Sequence, residues 1–269
     1  MNGLFITGTD TDIGKTALSA LLLAELRRRG TNAAPMKPAQ TGCKEEGFRP
    51  KASGFGADSP PPSPESKAQG LFSVPDLDYS LSMAGMEVDA ETYKNMAPYT
   101  FEPACSPHLA AEMAGTEIDI SEIVIAARTL AKQYDFIIAE GAGGIMVPLN
   151  QRETMLDLMQ ALKLPIVVAA RPGLGTINHT LLSIRALRSD GLDIAGIVFV
   201  ASTPGDPGLI EEDNLATIEH FGKVPVLGTI PYCPQLANFK SQVSGFKFQD
   251  SLPLPVVAET EKIVNQLAI

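Results

Sequence analysis

Apolar residues along this chain gather in short, nearly unbroken runs. Leu4-Phe5-Ile6, residues 135–140, 164–170, 194–200 and 224–230 each read as a strand with little polar alternation. Such runs fit parallel strands covered on both faces. A further short strand is expected at 32–38, ending on Lys37. Between the runs lie segments of helical spacing. Residues 17–26 form a strong one, closed by Arg27 to Arg29 and Gly30. Others are expected at 76–84, with Asp76 or Asp78 near its start, and from Ser106-Pro107 to Met113. One more starts at Asp119 or Ser121 and runs through Ile123, Ile125 and Leu130. The rest fall at 154–162, after the Gly-rich 171–175 to near Gly191, at 211–221, and from about 256 to 267. Strands alternating with helices, without internal repeats, predict an α/β fold. Its sheet should be doubly wound and mostly parallel, with helices on both faces.

Residues 43 to about 75 interrupt the pattern. Gly47, Pro50, Gly54, Gly56, Pro60, Pro61, Pro62, Pro64 and Gly70 rule out a long regular element. The α/β alternation resumes afterwards, so the expectation is one domain over 1–269 carrying an irregular surface insertion.

Composition narrows the function classes. The net charge of −10 leaves no basic footprint for nucleic acid. No stretch approaches the roughly 18 apolar residues of a membrane span. The start of the chain reads as a strand without a basic leader, and Cys43, Cys105 and Cys233 match no metal or redox spacing. Those features point to a cytoplasmic setting. His108, His179 and His220 are scattered without Ser or Cys partners, which argues against a catalytic triad.

The chemistry is concentrated at Gly8-Thr9-Asp10-Thr11-Asp12-Ile13-Gly14-Lys15-Thr16, between the first strand and the first helix. Strand, loop, Gly-Lys-Thr and helix make up a phosphate loop (P-loop), although Thr9 stands where the first glycine usually falls. Backbone N–H groups and the helix dipole converge there on an anion. Lys15 can reach β- and γ-phosphates, and the Thr16 hydroxyl can ligate Mg²⁺. Strand ends at the carboxyl edge of a parallel sheet are where α/β proteins put ligands, so Lys37 and Thr41 are expected to face the same pocket. Glu140 ends a buried strand and is followed by Gly141-Ala142-Gly143-Gly144, which suits a metal or phosphate contact. The loop before residue 176 leads into a helix whose N-terminus could hold a second anion.

These motifs, together with Lys37-Pro38-Ala39-Gln40-Thr41-Gly42, Pro98-Tyr99-Thr100-Phe101, Ser106-Pro107-His108 and Gly175-Thr176-Ile177-Asn178-His179, resemble those of the dethiobiotin synthetase family from the start of the chain to about Tyr232. The resemblance implies a P-loop NTPase-type fold and ATP-dependent closure of a ureido ring. The substrates would be 7,8-diaminopelargonate and CO₂, and the assembly a cytoplasmic homodimer with substrate near the interface. It implies that Asp12, Ile13, Gly14, Lys15, Thr16 and Ala17, with Glu140, Gly141, Ala142 and Gly143, bind the nucleotide. Lys15 and Lys37 would neutralise charge, with Thr11 and Thr41 as hydrogen-bond partners. Thr16, Asp78 and Glu140 would hold Mg²⁺, and Asn178 with the N–H groups of Thr176 and Ile177 would take the substrate carboxylate. Asp58 and Asp76 are the alternatives to Asp78; Ser59-Pro60-Pro61-Pro62 after Asp58 cannot form the helix the family has there. The chain departs from the family at Phe199-Val200-Ala201, where no amide is offered to adenine, and it matches weakly after Tyr232.

Two other readings share this fold. An amidoligase of the cobyrinate type would need a glutaminase part with a reactive cysteine, for which there is no signature. A partition or septum-placement ATPase would carry an extra lysine where Asp10 stands.

Overall fold

A computed structural model describes residues 1–44, 72–238 and 248–269. Six strands form one parallel sheet, in the spatial order 33–36, 136–140, 3–8, 166–170, 194–200 and 226–230. β1 (Gly3–Gly8) leads through the phosphate loop into α1 (Lys15–Arg28), and β2 (Ala33–Met36) follows. The short β3 (Ala39–Gln40) comes next, then α2 (Pro75–Met83), α3 (Ala90–Met96) and β4 (Tyr99–Thr100). α4 (Pro107–Met113) and α5 (Ile120–Leu130) precede β5 (Phe136–Glu140), and α6 (Met155–Leu162) precedes β6 (Ile166–Ala170). α7 (Thr176–Ser189), β7 (Ile194–Val200), α8 (Leu209–Gly222) and β8 (Val226–Ile230) continue the alternation. α9 (Pro234–Asn238), α10 (Phe248–Ser251) and α11 (Leu254–Gln266) close the chain.

The unalternating strands are explained by two cores. Leu4, Ile6, Phe136, Ile138, Val167, Ala169 and Val198 face one side, against Leu18, Leu22 and Leu26 of α1 and Val256 and Ile263 of α11. Phe5, Ile137, Ala139, Val168, Ile197 and Phe199 face the other, against Ile123 and Leu130 of α5, Leu158 of α6 and Leu187 of α7. With both faces dry, most strand positions are apolar. Gly3 is required by close approach: a Cβ there would lie 2.2 Å from the Ile137 carbonyl oxygen of β5.

Two features were not expected from the pattern. α3 fills the segment before Pro98, capped by Asp89, whose carboxylate accepts from the Thr92 N–H at 2.8 Å. β3 and β4 form a separate two-stranded parallel pair, which brings Gln40 beside Thr100. The start of α2 also differs. Its N-cap is Val74 without a side-chain cap, so Asp76 and Asp78 both lie inside the first turn. Lys44 and Ser73 pair as an isolated antiparallel bridge, closing the chain around the segment 45–71, which is outside the described residues together with Asp58.

Candidate functional site

β1, β2 and β5 end side by side, and the loops leaving their carboxyl ends wall a cavity of about 930 Å³. The phosphate loop contributes Thr11, Asp12, Ile13, Gly14, Lys15 and Thr16, and α1 continues with Ala17. The loop turns on two left-handed residues, Asp12 (φ 55°) and Gly14 (φ 90°). At Gly14 a side chain is excluded for a second reason, because a Cβ would lie 2.5 Å from Cγ1 of Val200. Lys15 folds back so that its ammonium donates to the Asp10 carbonyl at 2.6 Å. The Asp10 carboxylate pairs with Arg171 at 3.2 Å.

Lys37 lies at the floor and is 4% exposed. Its backbone N–H donates to the Met96 carbonyl at 2.7 Å, which ties it to the end of α3. Its ammonium reaches Glu140 Oε1 at 2.7 Å and Asp76 Oδ2 at 2.9 Å, and donates to the Gly141 carbonyl at 3.3 Å. Thr16 Oγ1 donates to the same Glu140 oxygen at 2.9 Å. One lysine thus bridges two carboxylates beside the threonine that opens the phosphate-loop helix.

The two lysines are tuned in opposite directions. Burial, reinforced by repulsion from Lys37, lowers Lys15 to about 8, against smaller support from Glu140, Asp76 and Asp10. Burial also opposes the charge on Lys37, but Glu140 and Asp76 outweigh it and push the group up to about 12. Lys37 is therefore a fixed positive charge, whereas Lys15 is a cation in want of an anion.

The β3–β4 pair places the opposite wall. Phe101 N–H donates to the Gln40 carbonyl at 2.9 Å, and Cys43 N–H donates to the Phe101 carbonyl at 2.9 Å. Thr41, Cys105, Ser106 and Pro107 line the cavity there. The far end is closed by Val200 at the end of β7, by Ala201 and Ser202 after it, and by Pro231, Tyr232, Cys233 and Leu236 after β8. Gly143 (φ 65°) turns the loop after β5; a Cβ there would meet Val147 at 2.8 Å.

The comparisons with known proteins agree with this geometry. A family described as an AAA domain matches residues 2–240. A curated relative from Anaeromyxobacter sp. (strain K), ATP-dependent dethiobiotin synthetase BioD, is 36% identical over 251 residues, covering 93% of this chain and 100% of its own. Another of the same name, from Pseudomonas paraeruginosa, is 39% identical over 232 residues, covering 86% and 90%. This chain belongs to the dethiobiotin synthetase family. Membership makes it an enzyme, a ligase of biotin biosynthesis. Solved structures extend the fold more widely. The MinC:MinD cell division complex of Aquifex aeolicus aligns with a TM-score of 0.60 at 14% identity, over 100% of this chain and 97% of that one. The cell division ATPase MinD of Pyrococcus furiosus aligns at 0.54 and 17%, over 98% and 99%. These likenesses show the P-loop NTPase fold.

Of the residues the synthetase resemblance implied, Thr11, Asp12, Ile13, Gly14, Lys15, Thr16, Ala17, Lys37, Thr41, Glu140, Ala142 and Gly143 line one cavity. Gly141 stands just behind it, where a Cβ would touch Phe5 and Met155 at 3.1 and 3.3 Å. Asp78 does not reach the cavity. Its carboxylate accepts from Tyr93 Oη at 2.6 Å and from Ser73 Oγ at 2.7 Å, and Asp76 takes the place beside Lys37 instead. The reason is helical phase: positions two apart differ by roughly 200° around the axis. With both acids in the first turn, spacing could not choose between them. Thr176, Ile177 and Asn178 lie at the start of α7, outside this cavity, with Thr176 buried and Asn178 exposed. The sequence reading missed the walls formed by residues 104–107 and 231–236, which only the fold brings in. Ser106-Pro107 reads in the sequence as a helix start and as part of the resemblance, with no cavity role attached.

Proposed function

We propose that this synthetase-family ligase is ATP-dependent and closes the ureido ring of dethiobiotin from 7,8-diaminopelargonate and CO₂, releasing ADP and phosphate. The observation that carries the reading is Lys37, buried and bridged to Glu140 and Asp76 in a phosphate-loop cavity with room for a nucleotide and a second substrate.

One substrate amine adds to CO₂ and loses a proton, giving a carbamate. A carbamate oxygen attacks the γ-phosphorus, and the bond to ADP breaks, leaving a carbamic–phosphoric anhydride. The second amine attacks its carbonyl carbon, phosphate leaves, and the ring closes. Phosphoryl transfer of this kind depends on positioning and charge neutralisation. Lys15 swings from the Asp10 carbonyl to the phosphates. Lys37 faces the carbamate and γ-phosphate, where charge accumulates, with Thr11 and Thr41 as hydrogen-bond partners. The N–H groups of residues 12–17 cradle the phosphate chain.

Mg²⁺ fits the residues present. Thr16, Asp76 and Glu140 are a hydroxyl and two carboxylates, the hard oxygen donors that Mg²⁺ takes alongside phosphates. Their carboxylates already draw in a cation, the Lys37 ammonium. Among the described residues there is no group of three or more His, Cys, Asp or Glu suited to a metal by itself, in keeping with an ion that arrives with its nucleotide. When bound, the ion neutralises phosphate oxygens.

The far end of the cavity receives the base. Val200 and Ala201 present no amide there, which supports weak selection among nucleoside triphosphates. The carboxylate of the diamine is held by Asn178 and the N–H groups beside it. Because that end of α7 lies outside its own chain's cavity, a second copy supplies it, which makes the enzyme a homodimer. Among the described residues, no helix is long and apolar enough to cross a membrane, and the three cysteines are free. Both features support a cytoplasmic enzyme, and the acidic charge gives no support to a nucleic-acid partner.

The test is isotopic. With carbon-labelled bicarbonate, ATP and the diamine, the label should appear in the ureido carbonyl of a product with the mass of dethiobiotin. A phosphorylated product that retains two free amines would contradict the reading.

A further inference from the structure

Asp78 is tied into a network that the chemistry above does not use. α2 is nine residues long, and its N-cap, Val74, supplies no side-chain cap. Ahead of it, Ser73 is tied through its backbone to Lys44. The end of the helix that carries Asp76 has a further anchor. Three side-chain hydrogen bonds provide it. The Val74 N–H, an orphan donor at the helix start, donates to Tyr93 Oη at 3.0 Å. The Tyr93 hydroxyl donates to Asp78 Oδ1 at 2.6 Å, and Ser73 Oγ donates to Asp78 Oδ2 at 2.7 Å. Both carboxylate bonds are of the short, charge-assisted kind. Tyr93 is 2% exposed, so its hydroxyl is held by packing as well as by partners.

Tyr93 belongs to α3, and the carbonyl of Met96 in the same helix accepts the backbone N–H of Lys37 at 2.7 Å. One helix of seven residues therefore grips both sides of the Lys37–Asp76 contact: the lysine through its backbone, the aspartate through Asp78 and the first turn of α2.

We propose that Asp78 is a positioning residue, which with Ser73 and Tyr93 clasps the start of α2 and sets the Asp76 carboxylate against Lys37 and Glu140. The proposal rests on the reading that Asp76 belongs to the set that holds the nucleotide and its ion.

The experiment measures ADP binding by calorimetry, with and without Mg²⁺, together with the thermal midpoint. The proteins are wild type, Asp76→Asn, Asp78→Asn, Tyr93→Phe and the double variant Asp76→Asn/Asp78→Asn. Asp78→Asn and Tyr93→Phe should each raise the Mg²⁺ concentration for half-maximal enhancement of ADP binding about tenfold, while metal-free ADP binding stays within twofold. In the Asp76→Asn background, adding Asp78→Asn should change the Mg²⁺ dependence less than twofold, because the group it positions is already gone. If Asp78→Asn and Tyr93→Phe lower the thermal midpoint and leave the Mg²⁺ requirement unchanged, the clasp is only structural and the proposal is overturned. An Asp78→Asn effect of equal size in both backgrounds would overturn it too. Wild-type Mg²⁺ dependence in Asp76→Asn alone would instead strike down the reading of Asp76 on which the proposal rests, and the proposal with it.

Discussion

At the scale of single residues, the site is a matter of where charge is fixed and where it is left wanting. Lys37 is held as a cation by two carboxylates, whereas Lys15 spends its ammonium on one backbone carbonyl. Lys37→Gln keeps length and polarity but removes the charge proposed to face the transferred phosphoryl group. Turnover should be abolished, a loss of at least about 10³-fold, with ATP binding by calorimetry largely intact. Normal turnover would sink the role assigned to Lys37. Gly14 is the second telling residue, because both its positive φ and the side chain of Val200 forbid a Cβ. Gly14→Ala should cost about 1–3 kcal/mol of stability in urea unfolding and weaken nucleotide binding as well. Both residues were legible in the sequence, Gly14 because a strand, a loop and a helix flank its motif and Lys37 because it ends an expected short strand. Asp76 was not, because the first turn of α2 holds two acids and only the three-dimensional phase of that helix says which one faces Lys37.

At the scale of elements, α1 does two jobs. Its N-terminus is the proposed seat of the phosphates, and its body fills the core between the sheet and α11. The body also buries Glu25, whose carboxylate accepts from Arg28 at 2.6 and 2.7 Å and from Arg29 at 2.5 Å. Burial disfavours the charged form of Glu25, but the two arginines outweigh it and hold the carboxyl below its ordinary 4.5. A carboxyl lowered by folding stabilises the protein fully above that ordinary value and loses its contribution as pH falls through the lower folded value. Glu25→Gln should thus lower stability by about 1–3 kcal/mol at neutral pH. The gap to wild type should narrow below about pH 4.5, as urea unfolding across the acid range would reveal. A pH-independent gap would assign the loss to packing. The buried strands and the long helices were readable because both faces of the sheet demand apolar side chains. α3, β3 and β4 were not, being two to seven residues long with no periodicity to display. Those short pieces nonetheless set the wall around Thr41 and the backbone of Lys37.

At the scale of the whole molecule, the proposed substrate site takes two copies to complete. Asn178 sits outside the cavity that holds Lys37, so the proposed grip on the substrate carboxylate has to come from the α7 of a second copy. Light scattering should give twice the mass of the 28.5 kDa chain. Asn178→Ala should raise KM for the diamine about tenfold, with KM for ATP unchanged. A monomer with full activity would refute the shared site. Phosphate release from ATP with Mg²⁺ and bicarbonate, measured with and without 7,8-diaminopelargonate, puts ring closure to the test. The account predicts release only when the diamine is present, one phosphate for each dethiobiotin formed. Release of equal rate without it would leave a nucleotide site and contradict the ring-closing ligase.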